Sequence, residues 1–421
     1  MAGIASRNRL LLGCLFGVLR FLVGANGGVL YEWKNVDFLW DSPSHRQDAI
    51  DSGNYVTNSC IPYDVDHSPD GRTFITVVRN QGVPATLTTV SDEMGDGGPL
   101  LKPYPSWSWN TVNGGNCDNI TSVYRVAIKC NFIFVLDNGK IGDDPVCPAK
   151  LLIFDLSTDT LVKRVIIPDK YATNANGSGL LLTPIVETMN KDCSRYRDFN
   201  VYMADSEGYG LVVWNGLFLK RIEAPCFEPD PKAETFTVSG KTFHLADGLL
   251  GMSLADDWPN QYDHRLYFRP FASYDMYYMT TRQLHSRDGP QPFIHYFKEP
   301  TKLKSQSAAQ AFSKEGILFF SGMTETSILC WNRHKPFIPE NIVTVLQNNE
   351  TLQFASGIKT DDHSVYFMTN RYQNFATNTM DYNVVNFRAF RSDIKSLIKG
   401  TNCELIPSHE YSPIIFPPHI L

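Results

Sequence analysis

Ser305-Gln-Ser-Ala-Ala-Gln-Ala-Phe-Ser-Lys-Glu-Gly-Ile-Leu-Phe-Phe-Ser-Gly-Met-Thr-Glu-Thr-Ser-Ile-Leu-Cys-Trp-Asn332 holds three short strands and two turns, with no room for a helix. Ala308 to Phe312 is small and apolar, as a strand buried on both faces requires. Ser313-Lys-Glu-Gly316 turns the chain, with Gly where a positive φ is most needed. Ile317 to Phe320 is β-branched and aromatic, and Thr324-Glu-Thr326 turns the chain back into Ser327 to Trp331. That is most of a four-stranded antiparallel sheet, the unit from which propellers are built.

The second strand of this unit recurs. Phe74-Ile-Thr-Val-Val, Phe132-Ile-Phe-Val-Leu, Val201-Tyr-Met-Ala-Asp, Leu266-Tyr-Phe-Arg-Pro, Ile317-Leu-Phe-Phe-Ser and Val365-Tyr-Phe-Met-Thr stand 58, 69, 65, 51 and 48 residues apart. Self-similarity at this period means repetition of one small sheet, and six copies predict an all-β fold, a six-bladed β-propeller. Leu30 to Phe38 and Val384 to Phe390 are both strand-like. Pairing these N- and C-terminal segments would close the ring and remove two exposed edges.

Arg7 and Arg9 precede the short apolar run Leu10 to Leu19, and small residues follow at Val23-Gly24-Ala25. This reads as a secretory signal peptide over 1–25, leaving 26–421 as one propeller domain. The run is too short to span a bilayer, so no membrane span is expected. Without Arg7, Arg9 and Arg20 the chain carries 35 basic and 44 acidic residues, a net of −9. An acidic chain without a basic patch is no nucleic-acid binder.

Secretion gives the cysteines a meaning. Eight follow the signal, Cys60, Cys117, Cys130, Cys147, Cys193, Cys226, Cys330 and Cys403, and an even number in an oxidising compartment implies disulfides. Cys117 and Cys130 are the nearest local pair. No CxxC and no ligand-spaced histidines occur, so no metal is expected. Sequons at Asn119, Asn176 and Asn349 lie in turn-like stretches suited to glycans.

Motifs that suggest chemistry fail on context. Gly251-Met-Ser-Leu-Ala255 begins like a nucleophile elbow but leads into a polar turn instead of a helix. Asp143-Asp144, Asp256-Asp257 and Asp361-Asp362 read as solvated turns without calcium-loop spacing. Gly95 to Trp109 reads as an inter-blade connection whose aromatics cap the core. No triad, metal set or cofactor fingerprint appears, and no cofactor is expected.

Several phrases together resemble the major royal jelly protein and Yellow family of insects, nearest its royal jelly branch. They are Arg46-Gln-Asp-Ala-Ile50, Gly82-Val-Pro-Ala-Thr-Leu87, Asp96-Gly-Gly-Pro-Leu-Leu101, Pro103-Tyr-Pro-Ser-Trp107, Val135-Leu-Asp-Asn-Gly139, the stretch from Gly322 to Asn332, Glu350-Thr-Leu-Gln353 and Val385-Asn-Phe-Arg388. The resemblance covers nearly the whole mature chain. It implies a secreted, non-enzymatic nutrient, storage or carrier protein that binds lipid-like molecules and secreted partners or its own copies. Salivary relatives imply a small amine in the channel, and some Yellow proteins imply the alternative, dopachrome conversion in melanin synthesis. The resemblance further implies disulfides Cys147–Cys193 and Cys330–Cys403. Cys60 and Cys226 depart from the royal jelly pattern and are left to each other.

In a propeller the ends of the inner strands converge on one channel. Ser305 and Ser307 before an inner strand, Asp137, Asp205 and Asn370 after second strands, and Phe319 or Phe320 as an aromatic wall make a candidate ligand set. The carboxylates would pair with an ammonium group and a Phe would hold its ring; a sterol-like ligand is the other candidate. The competing reading is that Asp137 and Asp205 only bond nearby backbone, as turn aspartates do.

Overall fold

The computed structural model describes residues 28–111, 116–188, 196–255, 264–285 and 294–405. The expected signal peptide, Cys193, the Asp256-Asp257 turn and the stretch 406–421 lie outside the described residues.

Six four-stranded antiparallel sheets make the six blades of a β-propeller. The six recurring phrases fall on the second strands: Thr73–Val77, Phe132–Asp137, Phe199–Asp205, Arg265–Pro270, Ile317–Gly322 and Ser364–Thr369. The inner strands are Pro62–His67, Val123–Lys129, Leu181–Thr188, Leu249–Ala255, Gln310–Phe312 and Ala355–Thr360. Blades are numbered 1 to 6 in that order.

Side chains alternate across a strand, so each second strand serves two inter-blade cores. Ile317 and Phe319 pack with Ile358, Val365 and Phe367 of blade 6. Leu318 and Phe320 pack with Tyr267 of blade 4, Phe312 and Trp331. Both faces are therefore apolar, which is why the stretch reads as a continuous run. Truncating a ring such as Phe319 to Ala costs about 3–5 kcal/mol.

The ring closes by pairing its two ends. Gly28–Trp33 is the outer strand of blade 6 and runs antiparallel to Phe387–Asp393, with Trp33 opposite Phe387 and Glu32 opposite Arg388. The N-terminal strand stops at Trp33. Phe38, expected within it, bridges Leu101 of blade 1 instead.

Gly95 to Trp109 is only partly a connection. Leu87–Gly95 and Gly98–Pro103 form the outer hairpin of blade 1, and Trp107–Asn110 is a short helix. Gly98 has φ +148°, and a Cβ there would sit 2.4 Å from the Glu32 carbonyl oxygen. The glycine is needed where the N-terminal strand presses on blade 1.

Neither of the expected bonds Cys117–Cys130 and Cys147–Cys193 forms. Cys117 bonds Cys147, not Cys130, with Cα atoms 5.4 Å apart. Sequence proximity misleads because the inner strand Val123–Lys129 lies between Cys117 and Cys130 and carries them to opposite ends of blade 2. Seven extended residues span about 20 Å, well beyond disulfide reach. The same bond excludes Cys147–Cys193, and Cys130 is itself disulfide-bonded. Cys330–Cys403 forms as expected, tying blade 5 to the C-terminal segment. Cys60 and Cys226 are free, buried in separate cores.

Candidate functional site

All six inner strands run the same way along the axis. Where they begin, Leu182, Leu250, Ala308 and Phe354 pack beneath the hairpin Thr235–Val238/Lys241–His244, which covers that end with Phe236 and Val238. Where they end, a cavity of about 760 Å³ opens. Its walls combine Ile185, Met252, Leu254, Phe312 and Ile358 with charged groups around the mouth.

Arg125 is the floor. From blade 2 its guanidinium donates to Thr183 Oγ1 (2.5 Å) of blade 3, Leu250 O (3.4 Å) of blade 4, Ala308 O (2.8 Å) beside blade 5 and Ser356 O (2.7 Å) of blade 6. It also lies 5.1 Å from the ring centre of Tyr63 in blade 1. One side chain thus touches every blade.

Above the floor, Asp64 and Asp66 project from the same face of blade 1, two residues apart. Their carboxylates accept from Val126 N (3.3 Å) and Ile128 N (3.0 Å) of blade 2. Lys359 of blade 6 donates to Asp64 at 3.0 Å and to Val126 O at 2.6 Å. A Cβ on Gly357 would lie 2.4 Å from Asp64 Oδ1, so only glycine admits this approach. Burial pushes the Asp66 carboxyl up to about 7, against the pull of Lys359. At the mouth, His67 stacks on Tyr366 at 5.0 Å, Arg391 lies 5.5 Å from the same ring, and Tyr366 Oη donates to Asp361 at 2.9 Å. The lining carries Arg125, Lys129, Lys314, Lys359 and Arg391 against Asp66, Asp361 and Asp362.

None of the seven residues expected to hold a ligand lines this cavity. Second strands run antiparallel to inner ones, so residues after a second strand, like those before an inner one, lie at the covered end. Asp137 is fully buried, pairs with Lys150 at 2.8 Å, and accepts from the backbone N–H groups of Thr121, Ser122 and Gly139. Asp205 pairs with Arg221 at 2.8 Å and accepts from Leu180 N and Gly208 N. Asn370 donates to Pro62 O and Ser356 Oγ, and Ser307 is hydrogen-bonded to Ser321 Oγ. Ser305 Oγ accepts from Thr324 N. Phe319 and Phe320 belong to inter-blade cores, with Arg269 5.0 Å from the ring centre of Phe320. Both aspartates bond nearby backbone as turn aspartates do, and each in addition pairs with a base, Lys150 or Arg221.

The sequence pattern described as major royal jelly protein matches residues 121–403. Major royal jelly protein 9 of Apis mellifera is 38% identical over 392 residues, 89% of this chain and 90% of that protein. Major royal jelly protein 1 of the same organism is 36% identical over 411 residues, 93% of each chain. The chain belongs to the major royal jelly protein family. Among solved structures, a virginiamycin B lyase from Staphylococcus aureus covers 81% of this chain and 98% of its own at 13% identity and a TM-score of 0.39. A likeness that slight carries no argument about the site.

This royal jelly family chain also assembles an acid–base cluster that its sequence hides. Glu187 of blade 3, nearly fully buried, lies 2.7 Å from His264 Nδ1 and 2.7 Å from His285 Nε2. Tyr202 Oη donates to Glu187 at 2.5 Å and Asn200 Nδ2 donates at 3.0 Å. Burial opposes ionisation of Glu187, but the hydrogen bonds from His264 and His285 outweigh it and hold the carboxyl below the usual range. Burial, reinforced by the Glu187 charge, pushes the Tyr202 phenol well up. Four groups spread over 99 positions share no local motif; only the packing of blade 3 against blade 4 unites them. The free thiols are no match for this chemistry, since burial raises both Cys60 and Cys226. Among the described residues no cluster of His, Cys, Asp and Glu is arranged to hold a metal ion, and no helix is long and apolar enough to cross a membrane.

Proposed function

We propose that this chain is a secreted carrier of the royal jelly type, holding a lipid-like amphiphile in the open end of its propeller channel. The observation behind this reading is the cavity of about 760 Å³, whose walls set Ile185, Met252, Leu254, Phe312 and Ile358 among polar groups and whose mouth is charged. Cavities of this size hold drug-sized ligands. The mouth supplies Arg391 and Lys129 for an acidic or hydroxyl head group, while most lining carboxylates already have partners. A bare ammonium group fits this balance less well than an acid or alcohol does.

Calorimetry with a sterol, a long-chain fatty acid, serotonin and dopamine tests the reading. Saturable heat with the sterol or the fatty acid is expected, and Arg391→Ala should weaken the fatty acid by about tenfold through loss of a charge-assisted contact. Heat from the amines alone would reverse the ligand class. No heat from any of the four would leave a storage protein without a ligand.

A second reading, dopachrome conversion, draws support from the Glu187–His264–His285–Tyr202 cluster, because tautomerisation needs only one or two placed proton-transfer groups. Dopachrome absorbance followed with pure protein decides it. Decay above the uncatalysed rate that disappears in Glu187→Gln would make the chain an enzyme.

A further inference from the structure

We propose that a second pocket, at the outer corner of blade 1, binds a neutral carbohydrate of one or two pyranose rings. The pocket has a volume of about 450 Å³ and lies between the helix Pro43–Asp51 and the loop 79–84. It is separate from the channel and shares no lining residue with it.

One wall is aromatic. Trp40 and Trp107 stack with centroids 4.6 Å apart and planes 23° from parallel, and His45 meets their rings at 5.0 and 4.9 Å. Both indole N–H groups are already used: Trp40 donates to Asp37 Oδ1 at 2.8 Å and Trp107 to Leu39 O at 3.0 Å. Arg46 fixes Asp37 from the other side at 3.0 Å. The tryptophans are thus held rigidly and present carbon surface to the pocket. The C–H face of a pyranose packs on such a surface.

The opposite side is amide. Asn80 and Gln81 line the pocket, and their side chains make no hydrogen bond within the described residues. Each amide offers a donor and an acceptor side by side, the pattern that a pair of neighbouring hydroxyls reads. Gly82, at φ +82°, brings the loop against Val56, where a Cβ would come within 2.8 Å. This close approach sets the loop opposite the tryptophans.

Charge argues for a neutral ligand. Arg79 is buried beneath the wall, and its terminal nitrogens are spent on Val83 O, Pro84 O and Asn110 O. Its Nε has no partner but is sealed from solvent, so Arg79 presents no open fork to a carboxylate or phosphate. His45 faces Asp41 at 3.5 Å. Asp48 is the one lining carboxylate, so the competing ligand is an aromatic amine, with Asp48 as its counter-ion.

The test uses the secreted protein after enzymatic removal of its own N-glycans. Glucose, mannose, galactose, N-acetylglucosamine and sucrose are titrated, read by saturation-transfer NMR and tryptophan fluorescence. At least one sugar should bind with saturation at millimolar concentration. The double variant Asn80→Ala/Gln81→Ala, on exposed or half-exposed side chains, should keep its Tm and weaken that sugar by about tenfold. Trp107→Leu should abolish binding while leaving channel ligands unaffected. Absence of saturable binding for every sugar overturns the proposal. So does sugar binding unchanged in the double variant, or serotonin binding lost in Asp48→Asn with no sugar bound.

Discussion

Arg125 and Ser356 meet on the propeller axis, the guanidinium of blade 2 donating to the carbonyl oxygen of blade 6 at 2.7 Å. The two residues are 231 positions apart, and the bond spans the channel. Propeller blades contact mainly their neighbours, so the axis is where non-neighbours can be fixed to one another. Arg125 does this with four hydrogen bonds at once and makes the cavity floor from the same atoms.

Arg125→Met should therefore destabilise the whole ring and not one blade. It leaves three buried carbonyl oxygens without their donor, at about 1–3 kcal/mol each before relaxation. Arg125→Lys should recover only part, since an ammonium group offers its donors from one point and cannot reach four acceptors in a plane. Guanidinium denaturation followed by tryptophan fluorescence measures both. An unchanged midpoint in Arg125→Met would remove the axial role.

Asp66 gives the fold a pH dependence of defined sign. Its folded pKa, about 7, lies above the unfolded carboxyl near 3.9, so the native state binds the extra proton between these values. Its contribution is complete below about pH 4 and is lost as pH rises towards 7, at no more than about 1.4 kcal/mol per pH unit. Asp66→Asn loses one backbone hydrogen bond at every pH but should flatten this slope. Thermal melts of both proteins from pH 4 to pH 8 check it; parallel curves would contradict the assignment.

The blades were legible in the sequence because each second strand is buried on both faces and shows as an uninterrupted apolar run. Closure was legible from the strand-like Val384 to Phe390, although Arg388 interrupts its apolar residues. The cavity was not. Strand-end aspartates look alike in sequence, and whether they face the open or the covered end depends on strand direction within a blade. Asp137 and Asp205 end second strands, whereas Asp66 sits within an inner strand, and only the last points to the cavity. Arg125 and Lys359 were missed because an isolated base in a strand reads as a solvated side chain. A base alternating with apolar residues in an inner strand, as in Val123-Tyr-Arg-Val-Ala-Ile128, was the available signal. Glu187, His264 and His285 offered no signal at all.

Glu187→Gln should cost more than a surface change. It leaves His264, His285 and Tyr202 around an amide, which cannot accept from all of them, and breaking one side of a buried pair costs about 3–5 kcal/mol. The sign opposes that of Asp66. Glu187 has a depressed folded pKa, so its contribution is present above the unfolded carboxyl value and is lost only as pH falls through the lower folded value. The wild-type advantage over Glu187→Gln should persist at pH 5 and decline in stronger acid. A gap that closes at neutral pH would refute this account.

The three sequons should not be equally occupied. Asn119 Nδ2, the atom a glycan would join, donates to Ser108 O at 2.8 Å and Thr111 O at 2.9 Å. A glycan replaces one of those hydrogens and releases a carbonyl. Asn176 is exposed with its side-chain amide unengaged, and Asn349 uses only its oxygen, accepting from Thr326 and Gln347. Glycopeptide mapping should find Asn176 and Asn349 filled and Asn119 lowest. Full occupancy of Asn119 would show that its two bonds are dispensable.

Closure of the ring makes the sharpest test. Phe387–Asp393 is hydrogen-bonded on both sides, to Ser364–Thr369 and to Gly28–Trp33, so deleting it frees two strands at once. A chain ending after Tyr382 should keep five blades and an exposed pair of edges, and should fail to be secreted. A chain ending after Lys399 retains that strand and loses Cys403, and with it the Cys330–Cys403 bond across 73 residues. It should be secreted but less stable, by about 2–5 kcal/mol, as Cys330→Ser should also be. Cys60 and Cys226 should resist alkylation in the folded protein and react once it is unfolded, since both are buried and free. Secretion of the shorter chain with the Tm of the full one would mean that the ring holds without its last strand, and the two-ended closure would carry no stability.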